Sequence, residues 1–431
     1  MSTTSVAAVY DRRLRLTAVT DRRYRSGLLP ARGLLVFCAV LLTACTAPAQ
    51  PKPPLPSNEV PGLSAVASAK AEPTPAGQLR QATAGTNPVP AAAGNGAAGT
   101  VKRPAQLWPF TKIRGVDHVA VREIAKRYGL KAAWTKAGVV LTLNDVRGVR
   151  FTFERDERDF RLDGARVFLG AQAYLSGDDL WVTKQDVIKT IAPLFAPADH
   201  AAFLPAPPKV IVLDPGHGGT DPGKQNLRLN VDEKDMTLDV ALRLKKILEL
   251  RGYRVVMTRT TDTRFSNNPM VDLPLRAEVA NKERADLFLS IHFNAVDRDP
   301  QRVTGVETYV LTPQGQASTQ PEQDKVMIAT QYPGNKQDTA NAVLGYALHR
   351  QMISDLKSSD RGYKRYRLAV LRTLNCPGVL VECAYLSNDA EAKRVATPEF
   401  RQQIAEALAE GISSYTATLT ALRPAVPPAK S

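Results

Sequence analysis

Residues 209–420 alternate short apolar segments with longer amphipathic ones, and this alternation restricts the possible fold of that region more than any other feature. The predicted strands are 209–213, 253–257, 285–293, 305–311, 368–371 and 379–381. The predicted helices are 236–250, 275–284, 340–356 and 398–419. Strands that alternate with helices form largely parallel sheets covered by helices on both faces. The sequence therefore predicts an α/β domain over residues 205–420 with a mostly parallel sheet.

A second, smaller α+β domain is predicted at residues 105–197. Its segments "VAVREIAKRYG", "LDGARVFLG" and "LWVTKQDV" read as an amphipathic helix, a strand pair, and a strand followed by a helix. Their order resembles the small domain named after the amino terminus of copper amine oxidases. That resemblance implies wall binding or positioning, with a structural spacer as the alternative, and it does not imply copper. His118, the only histidine of this segment, is expected to be a surface or helix-cap residue.

Residues 1–44 have the pattern of an export signal. Seven arginines precede the apolar run 34–42, which is shorter than the roughly 20 residues that span a bilayer and suits the core of a signal peptide. The run ends in Leu42-Thr43-Ala44-Cys45, which resembles a bacterial lipobox. This implies a lipid on Cys45, and Thr46 implies sorting to an outer membrane, facing the periplasm. The alternative is a plain signal peptide that happens to contain a cysteine.

Residues 45–104 are dominated by proline, alanine, glycine, serine and threonine. Such a segment buries too little apolar surface to offset its chain entropy, so it is predicted to be a disordered tether between the lipid and the folded domains. The formal net charge of +15 is compatible with an anionic partner such as cell-wall polymer or membrane. No nucleic-acid-binding motif accompanies the charge, and export also disfavours nucleic acid as a partner.

Four polar residues stand near the ends of predicted strands or at the start of a helix, where sites form in open α/β sheets: His217, Glu233, His292 and Glu382. Two imidazoles and one carboxylate leave a tetrahedral zinc ion with one open position for water, as in catalytic zinc sites. A further carboxylate can take a proton from that water and pass it to a leaving amine. A lone histidine at a strand end is usually just hydrogen-bonded, so the spacing alone leaves both interpretations open.

Seven motifs extend the argument: "VIVLDPGHGGTDPG", "EKDMTLDVALRLKKILELRGYRVVMTR", "LPLRAEVAN", "ADLFLSIHFNA", "GVETYVL", "RGYKRYRLAVLR" and "PGVLVECAYLSND". In this order they resemble the zinc-dependent N-acetylmuramoyl-L-alanine amidases of the amidase-3 type, over about residues 205–415. The resemblance implies a peptidoglycan hydrolase that cleaves the amide bond between N-acetylmuramic acid and the L-alanine of the stem peptide, for example in cell separation. A non-catalytic peptidoglycan-binding or activator protein with the same fold is the alternative.

The same resemblance implies roles for individual residues. Zinc is expected to be held by His217, Glu233 and His292. Glu382 is expected to be the catalytic acid and base. Arg276 and Asn281 are expected to hold the metal ligands in place without binding the metal themselves.

Two features depart from, or add to, the family pattern. Ala384 and Tyr385 stand where family members usually carry glycine and phenylalanine. Residues 312–339 form a polar insertion between a predicted strand and helix. The insertion is expected either to line the substrate groove or, as in some family members, to form an inhibitory lid that an activator protein displaces.

Overall fold

The computed structural model describes residues 108–320 and 327–423. The predicted signal peptide, Cys45 and the predicted tether lie outside the described residues. Within the described part of the chain, no helix is both long enough and apolar enough to cross a membrane.

The first part of the described chain contains nine short strands and three helical segments. The strands are β1 (Thr111–Ile113), β2 (Val116–Ala120), β3 (Lys131–Lys136), β4 (Val140–Asp145), β5 (Gly148–Glu154), β6 (Asp159–Leu162), β7 (Ala165–Phe168), β8 (Tyr174–Ser176) and β9 (Asp179–Thr183). The helices are α1 (Val121–Tyr128), α2 (Lys184–Asp186) and α3 (Ala192–Phe195), with a π-helical turn at Val187–Ile191 between the last two. Strands β1, β2, β9 and β8 form a small antiparallel sheet, whereas β3 to β7 form an antiparallel meander.

The second part contains eight strands and six helices. The strands are β10 (Val210–Pro215), β11 (Gln225–Asn226), β12 (Val231–Asp232), β13 (Arg254–Met257), β14 (Leu287–Asn294), β15 (Val306–Leu311), β16 (Asp360–Tyr366) and β17 (Gly378–Tyr385). The helices are α4 (Glu233–Leu250), α5 (Pro269–Lys282), α6 (Asp338–Asp355), α7 (Ala369–Arg372), α8 (Asp389–Ala396) and α9 (Pro398–Ala421).

The central sheet of this second part is mostly parallel. Its strand order is β13-β10-β14-β17-β15-β16, and every neighbouring pair is parallel except β15 with β17. Alternate residues of its strands enter two separate apolar cores. Leu213, Leu289 and Val381 pack on one face with residues of α4, α6 and α9, and Val212, Phe288 and Leu380 pack on the other with residues of α5 and α7. Helices therefore cover both faces, and the predicted fold class is confirmed.

The central sheet continues into the amino-terminal meander. Strand β16 pairs in parallel with β7, with Tyr363 opposite Val167, and the order then runs β7-β6-β5-β4-β3. The apolar core that contains Leu289 also contains Phe151 and Phe153 of β5. The segments 105–197 and 205–420 thus share one sheet and one core, and their division into two domains stays a prediction.

Two local predictions need correction. Residues 368–371, predicted as a strand, form the start of the short helix α7, and their apolar side chains face the core that α7 shares with α5. Strand β16 was not predicted. Its sequence, DRGYKRY, lacks the expected apolar alternation because Lys364 and Arg365 are buried charged residues.

Candidate metal centre

Three parallel strands bring the predicted site residues to one edge of the sheet. Strand β10 ends at Pro215, two residues before His217, and it pairs with β14, which carries His292. His292 lies directly opposite Glu382 of β17. Glu233 is the first residue of α4, which packs against β10 and β14. The sheet topology therefore gathers four residues that are far apart in the sequence.

His217, Glu233 and His292 form a compact cluster. One ligand atom from each of the three lies within 4.8 Å of those of the other two. The Glu233 carboxylate bridges the histidines, with Oε2 3.1 Å from His217 Nε2 and Oε1 2.9 Å from His292 Nδ1. Backbone N–H groups fix it further, because Lys224 donates to Oε2 at 2.7 Å and Phe293 donates to Oε1 at 2.9 Å. These three side chains could together hold a metal ion.

The electrostatic surroundings of the cluster favour a positive charge within it. Burial lowers the pKa of His217, but the neighbouring carboxylates of Glu233 and Asp221 outweigh burial and raise it to about 10. Burial raises the pKa of Glu233, but the two histidines outweigh burial and hold it below its ordinary value. A cation between these groups is therefore stabilised by a buried carboxylate that remains ionised.

Tight turns bring the two histidines together. His217 has a φ of 62°, a left-handed conformation that few residues other than glycine adopt. A Cβ on Gly216 would lie under 3 Å from three atoms of the His292 ring, and a Cβ on Gly223 would lie under 3 Å from Glu233 and His217. Glycine is required at both positions because the backbone passes directly against the cluster.

Glu382 is buried beside the cluster and has an unusual environment. It is 6% exposed, and its Oε2 atom makes no hydrogen bond within the described structure. Burial raises the pKa of Glu382 well above its ordinary value, and the negative charges of Glu233 and Glu307 raise it further. These surroundings favour the protonated form of the carboxyl group, which can donate a proton.

Arg276 hydrogen-bonds the backbone of His217, whereas Asn281 hydrogen-bonds residues outside the cluster. Arg276 is 3% exposed and donates Nη2 to the backbone oxygen of His217 at 2.9 Å and Nη1 to Asp214 Oδ1 at 2.9 Å. Asn281 instead hydrogen-bonds Thr373 and Asn375. It lies further along α5, near the carboxyl end of the helix, and the supporting roles of Arg276 and Asn281 both stay predictions.

Two residues that sequence reasoning did not identify also contribute to the site. Asp221 accepts a hydrogen bond from His217 Nδ1 at 3.0 Å, which orients the ring and leaves Nε2 toward Glu233. Its position four residues after His217 in "HGGTD" was the available signal. Glu307 lies opposite Glu382 on β15 and is 2% exposed, and only the burial of its strand could have indicated it.

The described residues 312–320 and 327–339 of the insertion do not lie at this edge of the sheet. Because β15 is antiparallel to β17, Glu307 is next to Glu382, whereas Val310 is next to Val379 near the start of β17. The insertion therefore leaves β15 at the opposite edge, where Arg367 donates to the backbone oxygens of Pro313 and Gln316. Neither the groove nor the lid expectation holds for the described residues 312–320 and 327–339.

The insertion instead connects the two parts of the chain. Arg158, between β5 and β6, donates to the backbone oxygen of Ser318 at 3.0 Å, and Gln185 donates to that of Gln314 at 3.0 Å. Gln316 also donates its side-chain amide to Asp186. These contacts attach the amino-terminal segment to the far side of the sheet, away from His217 and Glu382.

The fold and the site define an α/β domain with a cluster that can hold a metal ion at the carboxyl edge of its parallel strands. Residues 211–414 match the N-acetylmuramoyl-L-alanine amidase family. Over these residues the chain is similar to that family.

Individual proteins similar to this chain are also amidases. The N-acetylmuramoyl-L-alanine amidase AmiC of Neisseria meningitidis is 34% identical over 229 residues, which cover 48% of this chain and 53% of that protein. An uncharacterized cell wall amidase of Bacillus anthracis is 31% identical over 208 residues, covering 48% of this chain and 35% of that protein. The chain thus spans about half the length of these relatives or less. Among solved structures, the N-acetylmuramoyl-L-alanine amidase AmiC2 of Nostoc punctiforme is 31% identical in sequence. The match covers 48% of this chain and 96% of that chain, with a TM-score of 0.39.

Proposed function

We propose that this protein is a zinc-dependent N-acetylmuramoyl-L-alanine amidase that removes stem peptides from peptidoglycan. The observation that carries the proposal is the cluster of His217, Glu233 and His292 with the buried, unpaired carboxyl of Glu382 beside it. Similarity to a cell wall amidase and to AmiC supports the choice of peptidoglycan as substrate.

The residues present fit a zinc ion. Two imidazoles and one carboxylate are the donors of a catalytic zinc site that keeps an open position. The pKa shifts of His217 and Glu233 reflect surroundings that favour a cation between them. When bound there, zinc would activate a water molecule and polarise the amide carbonyl of the substrate.

The proton transfers fall to Glu382. Its carboxylate would take a proton from the attacking water and then deliver it to the nitrogen of L-alanine as the amide bond breaks. The high pKa of this group supports such a role, because burial and the neighbouring carboxylates favour the protonated form that serves as the acid. Asp221 and Arg276 would hold His217 in place, through its Nδ1 atom and its backbone oxygen respectively.

The competing function is a non-catalytic peptidoglycan-binding or activator protein. All four side chains needed for hydrolysis are retained and meet at one edge of the sheet, which favours the enzyme. Purified protein is expected to release dye from labelled sacculi, to stop when a chelator removes the metal, and to recover when Zn²⁺ is added back. Binding to sacculi without dye release, with and without Zn²⁺, would instead establish the non-catalytic function.

We also propose that the protein is exported and lipid-anchored in the cell envelope, at an outer membrane facing the periplasm. The support is the lipobox-like sequence Leu42-Thr43-Ala44-Cys45 after a short apolar run. Cys45→Ala is expected to shift the protein from the detergent phase to the aqueous phase when membranes are partitioned. Cys38→Ala is the matched control, since Cys38 lies inside the apolar run and should not carry lipid. Equal partitioning of both variants with the wild type would show that Cys45 is not the anchor.

A further inference from the structure

Four neighbouring strands place one charged or ionisable side chain each at the same level of the sheet edge. Across β14, β17 and β15, His292 lies opposite Glu382, and Glu382 lies opposite Glu307. On β16 the register shifts beside Glu307, because Val306 pairs with Asp360 while Thr308 pairs with Tyr363. Two residues of β16 thus oppose one of β15, and such a bulge re-aims side chains. The first of the two is Arg361.

Arg361 ends a row that starts at the metal centre. Neighbouring strands lie about 4.8 Å apart, so two strand spacings separate the backbone of Arg361 from that of Glu382 by roughly 10 Å. The Arg361 Nε atom is 3.8 Å from Glu307 Oε1, which places its side chain on the same face of the sheet as Glu307. The row therefore extends the site sideways from the residues proposed for hydrolysis.

Glu307 does not need Arg361 to balance its charge. Its Oε1 accepts hydrogen bonds from Lys364 Nζ at 2.6 Å and from the Tyr385 hydroxyl at 2.5 Å. Its Oε2 accepts from the Tyr309 hydroxyl at 2.5 Å and from the Asn294 amide at 3.1 Å. The Lys364 ammonium and Glu307 carboxylate form a buried ion pair with further hydrogen bonds, the arrangement in which such pairs persist. The positive charge of Arg361 is therefore not needed to neutralise the Glu307 carboxylate.

The guanidinium of Arg361 makes no hydrogen bond within the described structure. Its Nε atom is buried without an acceptor, whereas the side chain as a whole is 24% exposed. Its central carbon stands 5.7 Å from the centre of the Tyr385 ring, which orients the group as a cation–π contact does. Burial raises the pKa of Glu391, and the charge of Arg361 lowers it less than that of Arg394 does. The Glu391 carboxylate accepts its hydrogen bonds from the backbone N–H groups of Gly305 and Tyr385.

We propose that Arg361 binds a carboxylate of the stem peptide during hydrolysis. A planar guanidinium with free donors matches a carboxylate through two parallel hydrogen bonds. The stem peptide carries free carboxylates, whereas the muramic acid carboxyl is consumed in the scissile amide. One residue spans at most about 3.6 Å, so the second residue of the stem peptide is within reach of the Arg361 side chain when the amide lies at Glu382. The expected ligand is therefore a free carboxylate on that second residue.

This inference rests on the proposed amidase function, and the test separates the two. The probes are two N-acetylmuramoyl peptides that differ only in their second residue, which carries either a free α-carboxylate or an α-carboxamide. The wild type is expected to prefer the carboxylate form. Arg361→Gln is expected to raise KM for that form about tenfold, as loss of a charge-assisted hydrogen bond does, with kcat nearly unchanged. For the carboxamide form, KM of the variant and the wild type should agree within about twofold.

Two further variants control for charge and folding. Arg155→Gln removes the same charge from an exposed arginine of the amino-terminal segment and should leave both substrates unaffected. Arg361→Lys keeps the charge without the planar fork and should give an intermediate KM for the carboxylate form. An equal loss on both substrates, or no loss on either, would overturn the assignment of Arg361. Failure of the wild type to cleave either substrate would instead contradict the amidase function.

Discussion

Glu382→Gln is expected to lower the rate of hydrolysis by about 10²- to 10⁴-fold while the protein keeps its zinc, because a positioned acid–base group contributes that much. Glutamine has the same shape but cannot take up or release a proton. Glu382 is not part of the cluster that can hold a metal, so its replacement leaves His217, Glu233 and His292 intact. The measurement is the initial rate on labelled sacculi beside the zinc content of the same purified protein.

The three cluster residues provide the opposite pattern as controls. Alanine at His217, Glu233 or His292 is expected to abolish both zinc content and hydrolysis, because each change removes one donor. His200→Ala is the matched histidine control, since His200 lies in the 3₁₀ turn Pro197–Phe203 and is not one of the cluster residues. If the Glu382→Gln protein is folded, as measured by circular dichroism, but contains no metal, Glu382 is itself a ligand.

The sheet could be predicted because its central strands are buried on both faces. Residues such as Leu213, Leu289 and Val381 belong to continuous apolar runs that local composition reveals. The residues that end these runs could be predicted for a related reason. Parallel strands place their carboxyl ends at one edge, so His292 and Glu382 were expected at the same edge once both strands were predicted, and the structure shows the two strands as neighbours.

Strand β16 and the direction of β15 could not be predicted in the same way. In β16 the buried Lys364 is compatible with the core only because it pairs with Glu307, which is more than fifty residues away in sequence. The antiparallel direction of β15 depends on how the chain returns to the sheet, which no local pattern records. Because of that direction the insertion leaves β15 at the opposite edge, so its described residues fit neither expectation.

Tyr385 stands where family members usually carry phenylalanine, and the structure shows what its extra hydroxyl contacts. The sequence shows a tyrosine where phenylalanine is usual, and the ring alone suggests a neutral exchange. The added hydroxyl donates to Glu307 at 2.5 Å inside the core, beside Lys364. The extra donor therefore belongs to the buried network next to Glu382, a contact between two strands that sequence spacing does not reveal.

Gly216→Ala is expected to weaken zinc binding about 10- to 100-fold, the range typical for changes that misplace a metal ligand, although Gly216 is not itself a ligand. The added Cβ would lie under 3 Å from three atoms of the His292 ring. The backbone cannot retreat easily, because Gly216 N–H donates to Ile291 and its oxygen accepts from Arg259 and Thr237. The His292 ring must therefore rotate away from Glu233, and hydrolysis should fall in parallel with zinc affinity at limiting metal.

Competition with a chromogenic chelator measures the zinc affinity. Thermal unfolding of the metal-free protein measures the loss of stability from overpacking, which is expected to be about 1–3 kcal/mol. Gly170→Ala is the matched control, because its Cβ would crowd the side chain of Gln316 on the opposite side of the sheet. Both variants should lose comparable stability, but only Gly216→Ala should lose zinc. Wild-type zinc affinity in Gly216→Ala would show that the close approach of this backbone to His292 does not hold the ring in place, and His292 would then owe its position to Glu233 alone.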